Sequence, residues 1–413
     1  MRKINTRNFH LATRATPREV NRRIVLNLIR EYEPISRAEL ARRMNVHRST
    51  LTGLVRELVA SEAVFEQGTA ASVRGRRPTM LRVRTRGRLV LAVDIRAGTS
   101  VIALSDAGGE MLGRTSFTTP ASPDDLPQLL AGLANELLEA QGPDASEQCH
   151  AMGVVLPGMI DRTTGRLLYA PRLGWRDVDL RRAVTGAVGR RVFVESAPIA
   201  CALARLWLEP EATRLVNSFA YVSVSEGIGV GLVFNGEVLR GEAHTAGEFG
   251  HVSLDAAGPE CVCGKRGCWE ALACNAATVE RYVATLTGGK TSGSAAIRKG
   301  RARGTVAIED VVRRAKSGEP AAVSALTETG RHIGRGLAVI VSAFNPGRIY
   351  VGGEITDVWE YLEAPILDAV ATGSITERAR ATPIVPDGNP AEYRLLGAVA
   401  LVTAPSYAAL PVG

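Results

Sequence analysis

At 413 residues, 46% of them hydrophobic, the chain is long enough for two or three domains and apolar enough to fill their cores. No run approaches the roughly 18 apolar residues of a membrane span, and the first residues, MRKINTRNFHLATRATP, lack the apolar centre of a secretory leader; the expected location is the cytoplasm, with no membrane partner. The net charge of +8 is uneven: residues 1–88 carry 20 Lys and Arg against 7 Asp and Glu, a net of +13, and the remainder sums to −5, so the head of the chain is expected to meet a polyanion.

In the head, Thr16-Pro17-Arg18-Glu19 has a capping threonine, proline at the first helical position and glutamate three after the cap, followed by Val20, Ile24 and Leu28 at helical spacing. This predicts a first helix to about Tyr32, stopped by Pro34. Ser36-Arg37-Ala38-Glu39 repeats the capping box and opens a second helix through Met44; Asn45-Val46 make the turn; a third helix runs from about Arg48 to Ser61 with Leu51, Val55 and Leu58 inward. That order is a helix-turn-helix whose third helix enters a major groove, presenting Arg48, Ser49, Thr52, Gly53 and Arg56. Two strand-like pieces, Val64 to Gln67 and Met80 to Val83, flank a tip in which Arg74, Arg76 and Arg77 surround Gly75; the pair reads as a wing that reaches phosphates or a narrow minor groove. The expected partner is double-stranded DNA. Protein contacts by the three helices are the alternative, against which the basic excess weighs.

From Leu89 the pattern changes to buried strands alternating with helices. Strands are expected at Leu89 onward with a Gly108-Gly109 hairpin, at Ala151 to Leu156, Arg191 to Val194, Ala220 to Val224, Val230 to Phe234 and, last, Ile349 to Val351. Helices are expected near Asp124 to Gln141, Ala197 to Leu208, Cys274 to Thr287, Ile308 to Ser317, Ala321 to Asn345 and Trp359 to Ala371. Mixed strand pairs alternating with helices argue for two α/β lobes with a cleft between them. Gly288 to Thr305, rich in glycine, serine and basic residues, interrupts the pattern as a surface loop.

Between Gly247 and Ala273 lie one histidine and three cysteines. Cys261, Cys263 and Cys268 form a C-x-C-x4-C run with His251 ten residues upstream, a Cys3His set suited to tetrahedral zinc. Four protein ligands leave no open position, so a zinc ion there is structural. Reduced loop thiols or a disulfide are the alternative. Cys149, Cys201 and Cys274 sit in apolar contexts that suit buried free thiols, with Cys274 near enough to be a spare ligand.

The run G-E-F-G-H (Gly247 to His251) followed by C-V-C-G-K-R-G-C-W-E (Cys261 to Glu270) resembles the signature of the ROK family, which holds sugar kinases and sugar-responsive repressors. The likeness extends more loosely from about Leu89 to the end of the chain. It implies an actin-like, ribonuclease H-like sugar-kinase fold with ligand bound between lobes. The resulting division is a winged helix-turn-helix over residues 1–86, a first lobe over 87–200 completed by a C-terminal helix at 391–406, and a second lobe over 201–390 carrying the zinc loop 247–273. The kinase motif D-I-G-G-T reads Asp94-Ile95-Arg96-Ala97-Gly98 here, with a bulky side chain where the family approaches phosphate. Gly227 to Gly231 and Gly352-Gly353 resemble the other nucleotide turns, and each serves equally as a tight structural turn. The kinase E-N-D-A-N, whose aspartate is the general base, reads Glu195-Ser196-Ala197-Pro198-Ile199. Without a carboxylate at 197 a factor of about 10² to 10⁴ in rate is lost, and no kinase activity is expected. By the same resemblance Pro157 and Gly158, Ser196, Glu248, His251 and Glu270 are left to hold a sugar-like effector. The expectation is therefore a ligand-modulated repressor, a homodimer or higher oligomer reading a palindromic operator. The alternatives are an active sugar kinase with a DNA-binding appendage and a DNA-binding dimer that ignores ligands.

Overall fold

Helical apolar spacing folds the head first. In the computed structural model, which describes residues 18–69, 79–209, 216–242, 246–288, 306–388 and 390–408, α1 (Arg18–Tyr32), α2 (Arg37–Met44) and α3 (Arg48–Ala60) bury Ile24, Val25, Leu28, Leu40, Met44, Leu51, Val55 and Leu58 together. Ser36 Oγ caps α2 by accepting the Glu39 amide at 3.1 Å. Asn45 ends α2 in the left-handed conformation (φ 51°), which turns the chain into α3. The wing strands β2 (Val64–Thr69) and β3 (Thr79–Val83) pair antiparallel, and β1 (Ile35–Ser36) adds to β3. The sequence offers no signal for β1, because two residues cannot alternate. Thr16, Pro17 and the wing-tip arginines Arg74, Arg76 and Arg77 lie outside the described residues, as does residue range 289–305.

The body repeats one sheet topology twice. In the first lobe β4 (Leu89–Asp94), β5 (Thr99–Asp106), β6 (Met111–Thr118), β7 (Cys149–Leu156) and β11 (Arg191–Ser196) form a sheet of order β11-β7-β4-β5-β6, antiparallel on the β5-β6 side and parallel on the other. In the second, β12 (Phe219–Val224), β13 (Ile228–Phe234), β14 (Glu237–Val238), β15 (Ile349–Gly352) and β16 (Ile384–Pro386) take the equivalent order β14-β13-β12-β15-β16. Two sheets of one design side by side are the actin-like arrangement. The strand at Ile349 is thus not the last: β16 follows, a three-residue edge strand too short to stand out. A further small sheet, β8 (Met159–Asp161), β9 (Arg166–Ala170) and β10 (Trp175–Val178), with α6 (Leu180–Val188), fills a stretch the strand spacing leaves unassigned.

Helices cover both sheets: α4 (Leu126–Gln141), a single turn α5 (Ala145–Gln148) and α7 (Ala197–Leu208) in the first half of the body, then α8 (Trp269–Ala273), α9 (Asn275–Leu286), α10 (Ile308–Lys316), α11 (Pro320–Phe344), α12 (Trp359–Gly373), a short α13 (Glu377–Arg380) and α14 (Pro390–Tyr407). Among the described residues no helix is long and apolar enough to cross a membrane. The terminal helix α14 folds back onto the first lobe. Gly397 is needed there, since a Cβ would sit 2.5 Å from the Ala200 backbone of α7.

The head is fastened to these two helices. Asn27 Nδ2 donates to the Tyr407 carbonyl at 2.8 Å and Arg23 Nη1 to the Ala408 carbonyl at 2.7 Å, satisfying acceptors at the open end of α14. Between them the Arg30 guanidinium is buried, 5.0 Å from the Trp207 ring centre and 4.5 Å from that of Tyr407. Two aromatic faces substitute for the water this cation has lost. Since Trp207 ends the helix that begins at Ala197, one rigid element spans from the interlobe cleft to the head.

Candidate nucleic-acid interface, metal centre and effector cleft

On α3 the inward positions Leu51, Val55 and Leu58 are 1% exposed or less, which turns the other face to solvent. Ser49 and Arg56 are exposed and Thr52 and Gly53 half-buried; Arg48 opens the helix. Glu57, beside Arg56, pairs with Arg18 of α1, so its negative charge is neutralised next to the solvent face of α3. A helix with small residues at its centre and an uncompensated arginine on its rim fits a major groove.

In the thiol loop, Gly264 (φ 87°) and Gly267 (φ 63°) reverse the backbone, and at Gly267 a Cβ would sit 1.5 Å from the Asp255 carbonyl oxygen. The turns bring His251, Cys261, Cys263 and Cys268 together, with all four ligand atoms within 4.8 Å of one another. Cys261 Sγ lies 3.5 Å from His251 Nδ1, and Cys263 Sγ 3.6 Å from Cys268 Sγ. A tetrahedron with zinc–sulfur bonds of about 2.3 Å has edges of about 3.8 Å, so these two pairs already stand near the spacing that zinc requires and the quartet could hold the ion. Cys274 is buried and outside this cluster. Because Nδ1 faces the thiols, His251 Nε2 is left on the other side, 4.0 Å from Glu248 Oε2.

The loop delivers its flanking carboxylates to one place. Glu270, on α8 two residues after Cys268, accepts the Ile228 amide at 3.0 Å, and Gly227 is required because a Cβ would meet Glu270 Oε2 at 2.5 Å. Glu248 has its carboxyl raised above the usual range by lost hydration, an effect that His251 opposes and Glu270 reinforces. Pro157, Gly158 and Ser196 stand on the opposite lobe: Ser196 pairs in register with Leu156, so both segments leave adjacent ends of the parallel strands β7 and β11. Pro198 then packs on Gly229, where a Cβ would approach its Cγ to 2.8 Å, setting the two lobes against each other. The glycine run at 227–231 is explained by these close approaches.

Where a base would stand, Ala197 is buried, and the preceding carboxylate is occupied: Glu195 accepts from Arg240 at 2.5 Å and from the Ser196 amide at 3.0 Å. Asp94 is clamped by two cations, with Arg96 Nε and Arg394 Nε each at 2.6 Å. Arg96 therefore binds its own strand's aspartate rather than merely filling space. The cavity between the lobes, about 500 Å³, is lined by both arginines and by Cys201, Tyr221, Ser225 and Glu354. Burial pushes the Cys201 thiol up to about 12, so it is inert there.

Two cleft residues carry no motif that would have singled them out. Arg172, in the turn between β9 and β10, donates to the Glu226 carbonyl in the turn between β12 and β13, bridging the lobes. The Glu226 carboxyl is raised by burial, with Arg172 partly offsetting it and Glu354 adding to it. An isolated arginine and glutamate in loops look like ordinary surface charge in a sequence.

Residues 90–404 match the model of the ROK family and residues 22–64 that of the MarR family. The xylose repressor of Bacillus subtilis (strain 168) is 27% identical over 348 residues, 84% of this chain and 85% of that protein. The crystal structure of a ROK family transcriptional regulator described as a homologue of the E. coli MLC protein superposes with a TM-score of 0.78 at 26% identity, covering 95% of this chain and 97% of its own. A ROK family glucokinase from Streptomyces griseus, solved with glucose and AMPPNP, has a TM-score of 0.65 at 26% identity and covers 76% of this chain and 98% of its own.

Proposed function

Given that this chain belongs to the ROK family and carries a MarR-type winged helix at its head, we propose that it is a DNA-binding transcriptional repressor whose body receives a sugar-like effector and transfers no phosphate. The observation that carries this reading is the altered kinase cleft: alanine stands at 197, Glu195 is paired with Arg240, and Asp94 is held by Arg96 and Arg394. Neither Glu195 nor Asp94, the carboxylates at the ends of β11 and β4, is left free to take a proton from a sugar hydroxyl. Restoring the carboxylate alone, Ala197→Asp, is expected to give no phosphorylation above background in an ATP-coupled assay over a hexose panel. Measurable turnover by the unaltered protein would make it a kinase with a DNA-binding appendage.

The effector site in this reading is formed by Pro157, Gly158 and Ser196 on one lobe and Glu248, His251 and Glu270 on the other. Two carboxylate acceptors and the N–H of an imidazole make a rim suited to hydroxyls. A structural zinc ion held by His251, Cys261, Cys263 and Cys268 would keep Glu248 and Glu270 in place. The xylose repressor's name supports a pentose or related polyol as the first effector to try. The protein works as a homodimer in the cytoplasm: one head offers too few contacts for specific binding at physiological salt, and two heads on a twofold body read a palindrome.

An effector acts only through unequal affinity for two states. Lobe closure pulls on α7, whose far end holds Arg30 of the head, so closure changes the pose of α3. The deciding experiment is footprinting on the gene's own upstream region, repeated with a sugar panel. Protection that one sugar relieves is expected; absence of protection at low salt would end the DNA reading, and protection indifferent to every sugar would leave a ligand-independent dimer.

A further inference from the structure

Residues 161–191 contain eight arginines and three aspartates, a net of +5, inside a body that otherwise opposes it: residues 89–413 sum to −5. These residues form β8, β9, β10, α6 and the start of edge strand β11. Arg162 and Arg181 line a crevice of about 260 Å³ with Phe193 and, from α14, Pro405. Arg191 lies over the Phe193 ring, 5.4 Å from its centre. Pro405 also lines the crevice between head and body, about 360 Å³, together with Arg22, Arg23 and Arg88. Six guanidinium groups therefore run in one band from the edge of the first lobe, across the end of α14, to α1 of the head.

The carboxylates along this band are already engaged. Glu19 pairs with Arg22 and Arg23, and Glu195 with Arg240. Arg181 donates to the neutral Thr163 carbonyl. Burial first, and then the nearby Arg240 cation, hold Arg162 below the usual guanidinium range, with Glu195 and Glu237 partly offsetting them. Clustered like charges of this kind raise self-repulsion unless an anion meets them. The band includes α1, so it is continuous with the element that carries the recognition helix, and a duplex presents a phosphate charge about every 1.7 Å of axis.

We propose that this band is a second DNA surface, in which the body grips backbone phosphates flanking the half-site held by α3. The proposal rests on the reading that the head binds DNA. It identifies the partner as the phosphate backbone, without base preference, because guanidinium groups along a lobe edge and beside two crevices offer charge but no groove-entering element.

The test uses the full chain and two duplexes built on its footprinted site, one ending at the palindrome and one extended by about one helical turn on each side. Wild type is expected to bind the extended duplex at least tenfold more tightly at low salt, with a log Kd against log salt slope steeper by about 0.9 for each added phosphate contact. The triple variant Arg88→Ala, Arg181→Ala, Arg191→Ala is expected to lose that gain while holding the short duplex within twofold. Arg88 and Arg191 are exposed, so the double reversal Arg88→Glu, Arg191→Glu is the second variant should the triple one melt early, and it must lose the gain as well. Arg56→Ala should weaken both duplexes alike. Equal affinity and slope of wild type on the two duplexes overturns the proposal, as does a gain that survives the substitutions. Loss on the short duplex too, or a changed sedimentation of the free protein with no effect on DNA, would make the band a structural or protein-binding surface instead. Failure of wild type to bind either duplex would fell the DNA reading itself.

Discussion

Cys268→Ser is expected to abolish metal binding and to lower the melting temperature by about 10 °C or more. Cys268 is wholly buried, immediately precedes α8, and lies 3.6 Å from Cys263 Sγ, so its loss removes one of the four candidate ligands. Structural zinc contributes on the order of 10 kcal/mol of apparent binding energy in small domains. Losing even about 4 kcal/mol of this corresponds to roughly 10 °C at about 2–4 °C per kcal/mol. The consequence reaches further than stability. Glu270 lies two residues beyond Cys268 and Glu248 three residues before His251, so an unravelled loop scatters both carboxylates of the proposed effector rim. Elemental analysis should find one zinc per chain in wild type and in Cys274→Ser, and none in Cys268→Ser. A Cys268→Ser protein that keeps its zinc and its melting temperature would show that the cluster is not a metal site.

Arg56→Ala should reduce operator affinity by about 1–3 kcal/mol for each head. Acting in both heads of a dimer this amounts to a loss between about 30-fold and about 10⁴-fold, with a shallower salt dependence where the contact is to phosphate. Arg56 is an exposed cation on the outer face of α3, while the neighbouring Glu57 is drawn away by Arg18. Arg331→Ala, on α11 far from the head, removes one positive charge without touching that face and should leave affinity within twofold. Should Arg56→Ala bind the operator as wild type does, with unchanged salt slope, α3 does not lie in a groove in the manner described.

Much of this was legible in the residues because it depends on local chemistry. Helical spacing marks α1 to α3 whatever lies around them, capping boxes mark the starts of the first two, and the Ser36 cap forms as its spacing implies. The C-x-C-x4-C run, with glycines at the two sharp reversals, needs only a short loop to converge. The family resemblance supplied the two-lobed body and drew attention to position 197. Short edge strands such as β1 and β16 were invisible, since pairing rather than pattern makes them strands. The small sheet of β8 to β10 does not stand out because its strands are only three to five residues long, too short for an alternating pattern to register.

What the chain determines by itself is therefore the set of local units: the three helices of the head, a closed ligand quartet, buried strands alternating with helices and the missing base at 197. What only the tertiary structure decides is how distant charges are spent on one another. Asp94 meets Arg394 across 300 residues, Glu195 meets Arg240, and Arg30 of the head is seated between Trp207 and Tyr407. The reason is physical: helix propensity, capping and metal chelation act over a few residues, whereas an ion pair or a cation on a ring depends on distance in space alone, which the linear order of residues does not encode.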